Sequence, residues 1–320
     1  MKRILLKIFV NLGTPLTFLS TVWLKFVKQI GTGRIAEFIF MKFGFFPVLD
    51  HYYQPLINPK KYLTKSLRDD RDLSGIDFNV EGQLELLNNF NYNDELIKFP
   101  IDKKVDYEFF YNNSEYTSGD AEYLYNIIRY FKPKRIIEVG SGYSTLMAMN
   151  AIANNKLEDS EYTCHQICIE PYEAQWLEDI GVELIRERVE DTDISLFTNL
   201  ESNDILFIDS SHIIRPQGDV LFEYLEILPL LKSGVLVHVH DIFTPKDYLN
   251  EWIYNHVLWN EQYLLEAFLI FNSEFRIIGA LNYLSHNHQN EFANKCPLFA
   301  SKQGFEKNKK EPRAFWIMKI

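Results

Sequence analysis

Along this chain the spacing of apolar residues changes character near residue 135. Before that point apolar positions recur at helical intervals: Gln83 to Phe90, Asn93 to Lys98, and a run from Ser118 to Phe131 that stops ahead of Pro133 and takes Ser118 as its N-cap. From Arg135 onward, short continuous apolar runs alternate with helical stretches, the pattern of strands buried on both faces of a parallel sheet. The runs predict strands at 135–139, 166–170, 182–186, 204–209 and 235–240, followed by 275–281 and a terminal strand at 314–320. Between them the spacing predicts helices from the first strand to about Asn154 and over 173–180, 219–231 and 261–271. Five parallel strands and a closing pair give a seven-stranded, mostly parallel α/β sheet with helices on both faces. A Lys/Asn-rich segment, Ser301 to Pro312, is expected to be an exposed loop.

Upstream of the sheet the pattern is less regular. The run from Ile4 to Val27 is apolar but broken by Lys7, Asn11, Gly13 and Pro15, so its uninterrupted length falls short of the roughly 20 residues of a membrane span. It carries no small-residue cleavage site. A helix packed on its own domain is the first expectation, a helix in a membrane interface the second and a span the third. Residues 44–56, GFFPVLDHYYQPL, are aromatic and punctuated by two prolines, which excludes a long helix and suggests a lid or a strap across the core. Residues 59–78 are charged and read as a connecting surface loop. These features divide the chain into an N-terminal helical and aromatic extension, 1–113, a membrane-surface element and substrate cover, and an α/β domain, 114–320.

Composition narrows the classes. A hydrophobic content of 47% over 320 residues supports a full core. A net charge of -11 argues against a nucleic-acid partner, because phosphate neutralisation needs excess Lys and Arg. Residues 1–36 depart from that balance with Lys2, Arg3, Lys7, Lys25, Lys28 and Arg34 and no acid, a charge suited to peripheral contact with an anionic membrane. Three cysteines, Cys164, Cys168 and Cys296, without metal-ligand spacing fit a reducing cytoplasm. The expected location is cytoplasmic, with room for association at the inner face of the membrane.

Chemistry concentrates at the predicted strand ends. Arg135 to Thr145, RIIEVGSGYST, reads as a strand breaking into a glycine turn and a helix, and Glu170 in QICIEP closes the next strand. These two segments, with ILFIDSSH and GVLVHVHDIF in that order and spacing, resemble the class I S-adenosylmethionine-dependent methyltransferases. The likeness is to the bacterial small-molecule and sugar O-methyltransferase branch related to catechol O-methyltransferase, and it covers about residues 114–320. It implies a Rossmann-like sheet. It also implies S-adenosylmethionine as cofactor, held by Glu138, Gly140, Ser141, Gly142, Ser144, Glu170, Pro171, Val189, Glu190 and Asp209. Of these, Glu170 would accept the ribose hydroxyls and Val189 and Glu190 would border the adenine. A dinucleotide oxidoreductase fits less well, because the turn lacks the third glycine of G-x-G-x-x-G.

Two further strand ends, Asp209-Ser210-Ser211-His212 and His238-Val239-His240-Asp241, would lie side by side. The resemblance implies catalysis by Asp209, His212 and Asp241, with His212 able to take a hydroxyl proton. It also implies a divalent cation, Mg, Mn or another, on Asp209 and Asp241. The histidine before the second acid adds His240 to that ligand set. His238 reads as a structural histidine. Ile242 to Pro245, Asp247 and Tyr248 are expected to wall the substrate cleft, with Arg215 opposite as a clamp for an acidic group. The pattern of a metallo-β-lactamase-type hydrolase is absent. The expected activity is O-methylation of a small polyhydroxylated or glycan-type acceptor; the rival is an inactive cofactor-binding scaffold in a membrane-associated assembly.

Overall fold

A computed structural model describes residues 2–51, 53–301 and 311–320, without the side chains of Lys2 and Arg3. The loop expected at Ser301 to Pro312 lies almost wholly outside the described residues. The chain packs as two units, residues 1–66 with 251–258, and residues 67–250 with 259–320.

The larger unit is built on a seven-stranded sheet: β1 (Arg135–Val139), β2 (His165–Ile169), β3 (Glu183–Ile185), β4 (Ile205–Ile208), β5 (Leu236–Val239), β6 (Phe275–Ala280) and β7 (Phe315–Lys319). The strand order is β3-β2-β1-β4-β5-β7-β6. β1 to β5 pair in parallel, and β7 runs antiparallel between β5 and β6. All seven expected strands are present. Their side chains alternate between two cores, as the two-residue period of a strand requires. On β4, Ile205 and Phe207 join Tyr123, Leu146 and Trp316 on one face, whereas Leu206 and Ile208 join Val220, Ile227 and Leu265 on the other. With both faces buried, β4 and β5 are wholly apolar except for His238, which explains their unbroken hydrophobic runs.

The helices depart from expectation where local chemistry intervenes. The helix expected from Ser118 begins at Asp120, with Gly119 at the cap, because the Glu122 carboxylate accepts the Gly119 N–H at 2.9 Å. The helix expected over 219–231 is α-helical only to Phe222, widens into a π turn over Glu223–Ile227 and tightens to a 3-10 turn at Leu228–Leu230, where Pro229 removes a donor. The helix expected over 173–180 is a 3-10 turn, Gln175–Asp179. Three short helices between Leu281 and Ala300 carry the chain from β6 toward β7.

Residues 67–78 of the expected surface loop do run as a loop, but one anchored in the larger unit. Leu67 and Ile76 are buried. The Arg71 N–H and guanidinium donate to the Pro245 carbonyl, and Arg71 also pairs with Glu266; Lys246 pairs with Asp70.

The smaller unit holds three N-terminal helices, α1 (Lys2–Leu12), α2 (Thr14–Ile30) and α3 (Arg34–Phe43). None of the described residues from Ile4 to His51 is buried, so the packed-helix expectation for Ile4 to Val27 fails. Phe45, Phe46 and Tyr53 in the aromatic segment are exposed as well. Among the described residues no single helix is long and apolar enough to cross a membrane. Ile4–Leu12 and Thr14–Ile30 pass that test only as a pair, bent by 56°.

Candidate active site

The site grows from the glycine turn after β1. Gly140 stands at φ +75°, and a Cβ placed there would lie 1.9 Å from the Asp209 carbonyl oxygen, so only glycine allows the ends of β1 and β4 to meet this closely. The Asp209 N–H donates to the Val139 carbonyl at 2.9 Å, the Gly140 N–H to Ile169 at 3.0 Å and the His240 N–H to Ile208 at 2.9 Å. The carboxyl ends of β2, β1, β4 and β5 are thereby levelled along one edge, where an open α/β sheet takes its ligand.

A cleft of about 510 Å³ opens at that edge, within the range of small-molecule sites. Gly140, Glu170, Pro171, Val189, Glu190 and Asp209 line it, with Ser210, Ser211, His212, Arg215 and Trp259. Glu170 is anchored there because its Oε1 accepts the Tyr172 and Glu173 N–H groups at 2.9 and 2.8 Å.

Other residues expected at the cofactor lie beneath the turn. Glu138 is buried and accepts hydrogen bonds from Ser144 Oγ, from Thr145 Oγ1 at 2.8 Å and from Gln166 Nε2 at 3.4 Å. Burial drives its pKa up to about 7 against the pull of those donors. The buried Ser141 hydroxyl donates to the Glu138 carbonyl at 3.4 Å. Glu138, Ser141 and Ser144 therefore brace the strand-to-helix turn, and neither they nor Gly142 line the cleft.

The two acids and one histidine converge as the strand ends required. His212 Nε2 lies 3.2 Å from Asp209 Oδ1 and 3.4 Å from Asp241 Oδ2. Both His212 and Asp241 hold left-handed backbone conformations, φ +59° and +57°, which is strain stored at the site. The His212 carbonyl accepts the N–H groups of Asn260 and Glu261, and the Trp259 ring lies 4.4 Å from the imidazole centre.

Sequence reasoning missed Glu261. Its fully buried carboxylate meets His212 Nδ1 at 2.8 Å, on the opposite side of the ring from the two aspartates. Burial alone would lower the His212 pKa, but the hydrogen bonds to Asp209 and Glu261 and the charge of Asp241 outweigh it and hold the pKa well above an ordinary histidine's. Behind Glu261, burial first and then the charges of Glu261 and Asp219 raise the Glu223 pKa strongly. His212 and Glu261 are 49 residues apart, and no local motif joins them.

The metal expectation changes accordingly. Asp209, His212 and Asp241 offer ligand atoms within 4.8 Å of one another. His240 does not join them: its Nε2 accepts the Arg313 Nε–H at 3.2 Å, and its distance to Asp241 Oδ1 is 3.9 Å. Arg313 Nε also reaches Asp241 Oδ1 at 2.8 Å, so the guanidinium holds that acid from the side away from His212. Two carboxylates and an imidazole suit a divalent cation, and Glu261 on the opposite nitrogen is the outer carboxylate such an imidazole commonly carries.

Ile242, Phe243, Thr244 and Tyr248, expected as a cleft wall, are buried in the packing below the site. Gln262 accepts the Phe243 N–H, and the Thr244 hydroxyl donates to Glu266. His238 is buried among Phe207, Trp316 and His240, as a structural histidine.

Residues 137–242 match the model of a methyltransferase domain family. An uncharacterised protein of Archaeoglobus fulgidus is 32% identical over 170 residues, 48% of this chain and 74% of that protein. Among solved structures, similarity extends to the O-methyltransferase TomG of Streptomyces achromogenes, involved in tomaymycin synthesis and bound to S-adenosylmethionine. That match has 13% identity, a TM-score of 0.37 and coverage of 73% of this chain and 89% of the other. A Bacillus cereus O-methyltransferase bound to S-adenosylhomocysteine matches at 13% identity and a TM-score of 0.36 over 82% and 95% of the two chains. Since the methyltransferase signature falls on the β1–β5 core of a sheet ordered β3-β2-β1-β4-β5-β7-β6, with its cleft at the carboxyl edge, residues 137–242 form a methyltransferase domain.

Proposed function

We propose that the protein transfers the methyl group of S-adenosylmethionine to a hydroxyl oxygen of a small polyhydroxylated or sugar-type acceptor, with His212 as the base. The observation that carries this reading is the placement of His212 on the cleft, touching Asp209 and Asp241 through Nε2 and Glu261 through Nδ1.

The residues fit the cofactor. Glu170 would offer a carboxylate to the ribose hydroxyls, Val189 and Glu190 would border the adenine, and Gly140 would leave room beside the methionine portion. The sulfonium needs no activation, so the protein orients the acceptor oxygen and manages its proton. The oxygen lone pair forms the new bond to the methyl carbon while the carbon–sulfur pair returns to sulfur, and the hydroxyl proton leaves to His212. For that the imidazole must be neutral, and Glu261 selects the useful tautomer: with Nδ1–H donated to Glu261, the Nε2 lone pair is left for the substrate side. The negative charges of Asp209 and Asp241 oppose that neutral state in the free protein.

Asp209 and Asp241 would hold a divalent cation beside the imidazole, whose Nε2 stays available for the acceptor proton. When bound, such an ion lowers the pKa of the acceptor hydroxyl and offsets the charge of the two acids. Chelation is expected to abolish transfer of radiolabelled methyl from S-adenosylmethionine to a polyol and sugar panel, and Mg or Mn to restore it. Full turnover in excess chelator would remove the cation from the reading and leave His212 as the base alone.

A further inference from the structure

We infer that α1, α2 and α3 form an interfacial anchor that lies in the plane of an anionic lipid bilayer. The inference concerns the smaller unit by itself and does not depend on the reaction proposed for the larger one.

Apolar side chains cover these helices without being buried. Leu6, Phe9 and Leu12 on α1, Leu19, Trp23 and Phe26 on α2, and Ile35, Phe38 and Phe43 on α3 are all more than half exposed. Leaving such a surface in water is costly, at about 25 cal/mol for each Å², so it requires an apolar partner.

Charge identifies the partner. Lys7, Lys25, Lys28, Arg34 and Lys42 are the described basic side chains of the three helices, and Glu37 is their one acid. Polar positions also fall at helical spacing: Lys7 and Asn11 on α1, then Thr14, Thr17, Thr21, Lys25 and Lys28 on α2. A basic polar stripe opposite Trp, Phe and Leu is the composition of a helix at the boundary between headgroups and acyl chains. The threonine hydroxyls are already satisfied within the chain: Thr14 donates to Asn11 at 2.7 Å, Thr17 to Gly13 at 3.3 Å and Thr21 to Thr17 at 2.8 Å.

Geometry favours lying in the surface over spanning. The apolar run is divided by a 56° bend between α1 and α2, and α3 starts anew after Gly31 and Gly33. A span through α1 and α2 would put Asn11, Gly13 and Thr14 near the bilayer centre, whereas in the interfacial plane the polar stripe faces the headgroups along its length.

The test is flotation of the full chain with vesicles of neutral phosphatidylcholine and with vesicles containing about 30% phosphatidylglycerol, an anionic surface of the kind that attracts basic segments. The chain is expected to float with the anionic vesicles. Lys25→Gln with Lys28→Gln should weaken binding about fivefold for each side chain removed, while the variant's thermal transition stays at the parent value. Equal binding to neutral vesicles would overturn the assignment to anionic lipid. Resistance to alkaline carbonate extraction from membranes would overturn the in-plane arrangement in favour of a span. Failure to float, with a concentration-dependent dimer in sedimentation velocity that Trp23→Ser and Phe26→Ser abolish, would give the apolar surface to a second copy of the chain.

Discussion

At the scale of single residues, the site is a histidine whose charge is set by three carboxylates. The Glu261 carboxylate meets the His212 ring at Nδ1, so its task is to fix the tautomer and the ring. Glu261→Gln keeps the volume but can donate where only acceptance works. It is expected to lower kcat about 10- to 100-fold, with S-adenosylhomocysteine affinity, read by calorimetry, within a few-fold of the parent. A loss confined to cofactor affinity would contradict that role. Asp241→Asn is expected to lower kcat more than about 100-fold, the scale of losing an electrostatic partner of the reacting groups, again with cofactor affinity retained. Asp209, His212 and Asp241 were legible in the sequence because each closes or follows an apolar strand. His240 was legible for the same reason and misled: the histidine before Asp241 meets Arg313, and the one three residues after Asp209 meets both acids. Glu261 and Arg313 reach the site from distant segments, and only the packing reveals them.

At the scale of elements, the turn after β1 and the helix that follows it carry the architecture. Gly140→Ala must move the Asp209 backbone and hold alanine at φ +75°. It is expected to destabilise by about 3 kcal/mol or more, seen as a lower thermal transition. Gly142→Ala, with nothing closer than Glu115 Oε2 at 3.5 Å, should leave the transition nearly unchanged. Beneath the turn, the buried Glu138 has its folded pKa raised to about 7. Between pH 4.5 and 7 the folded state therefore binds more protons than the unfolded state. The stability this group contributes is complete below its unfolded pKa and is lost as pH rises through about 7, a change of about 3 kcal/mol. Glu138→Gln is expected to flatten the fall of thermal stability over that window, and an unchanged slope would show that the carboxyl does not titrate there. The strands were readable because burial on both faces makes them continuous apolar runs. Helix ends were not: Ser118 is a good cap by type, but Glu122 serves Gly119 instead, and Pro229 breaks a helix whose apolar spacing runs straight through it.

At the scale of the whole molecule, the chain joins an acidic, well-packed methyltransferase unit to a basic, apolar helical one. Sequence marked the N-terminal helices by their charge, yet whether an amphipathic helix finds a core depends on what the rest of the chain offers it, and here the side chains stay exposed. The start of the larger unit at Leu67 was hidden as well, because Asp70 and Arg71 read as solvated charges and are instead paired with Lys246 and Glu266. The central claim is that the cleft at the ends of β1, β2 and β4 takes the methyl donor. Calorimetric titration of the full chain with S-adenosylhomocysteine, repeated on Glu170→Ala, tests it most directly. One site on the parent, weakened about 10- to 100-fold in the variant as hydrogen bonds to a carboxylate are lost, is the predicted result. No binding by the parent, or equal binding by the variant, would contradict it.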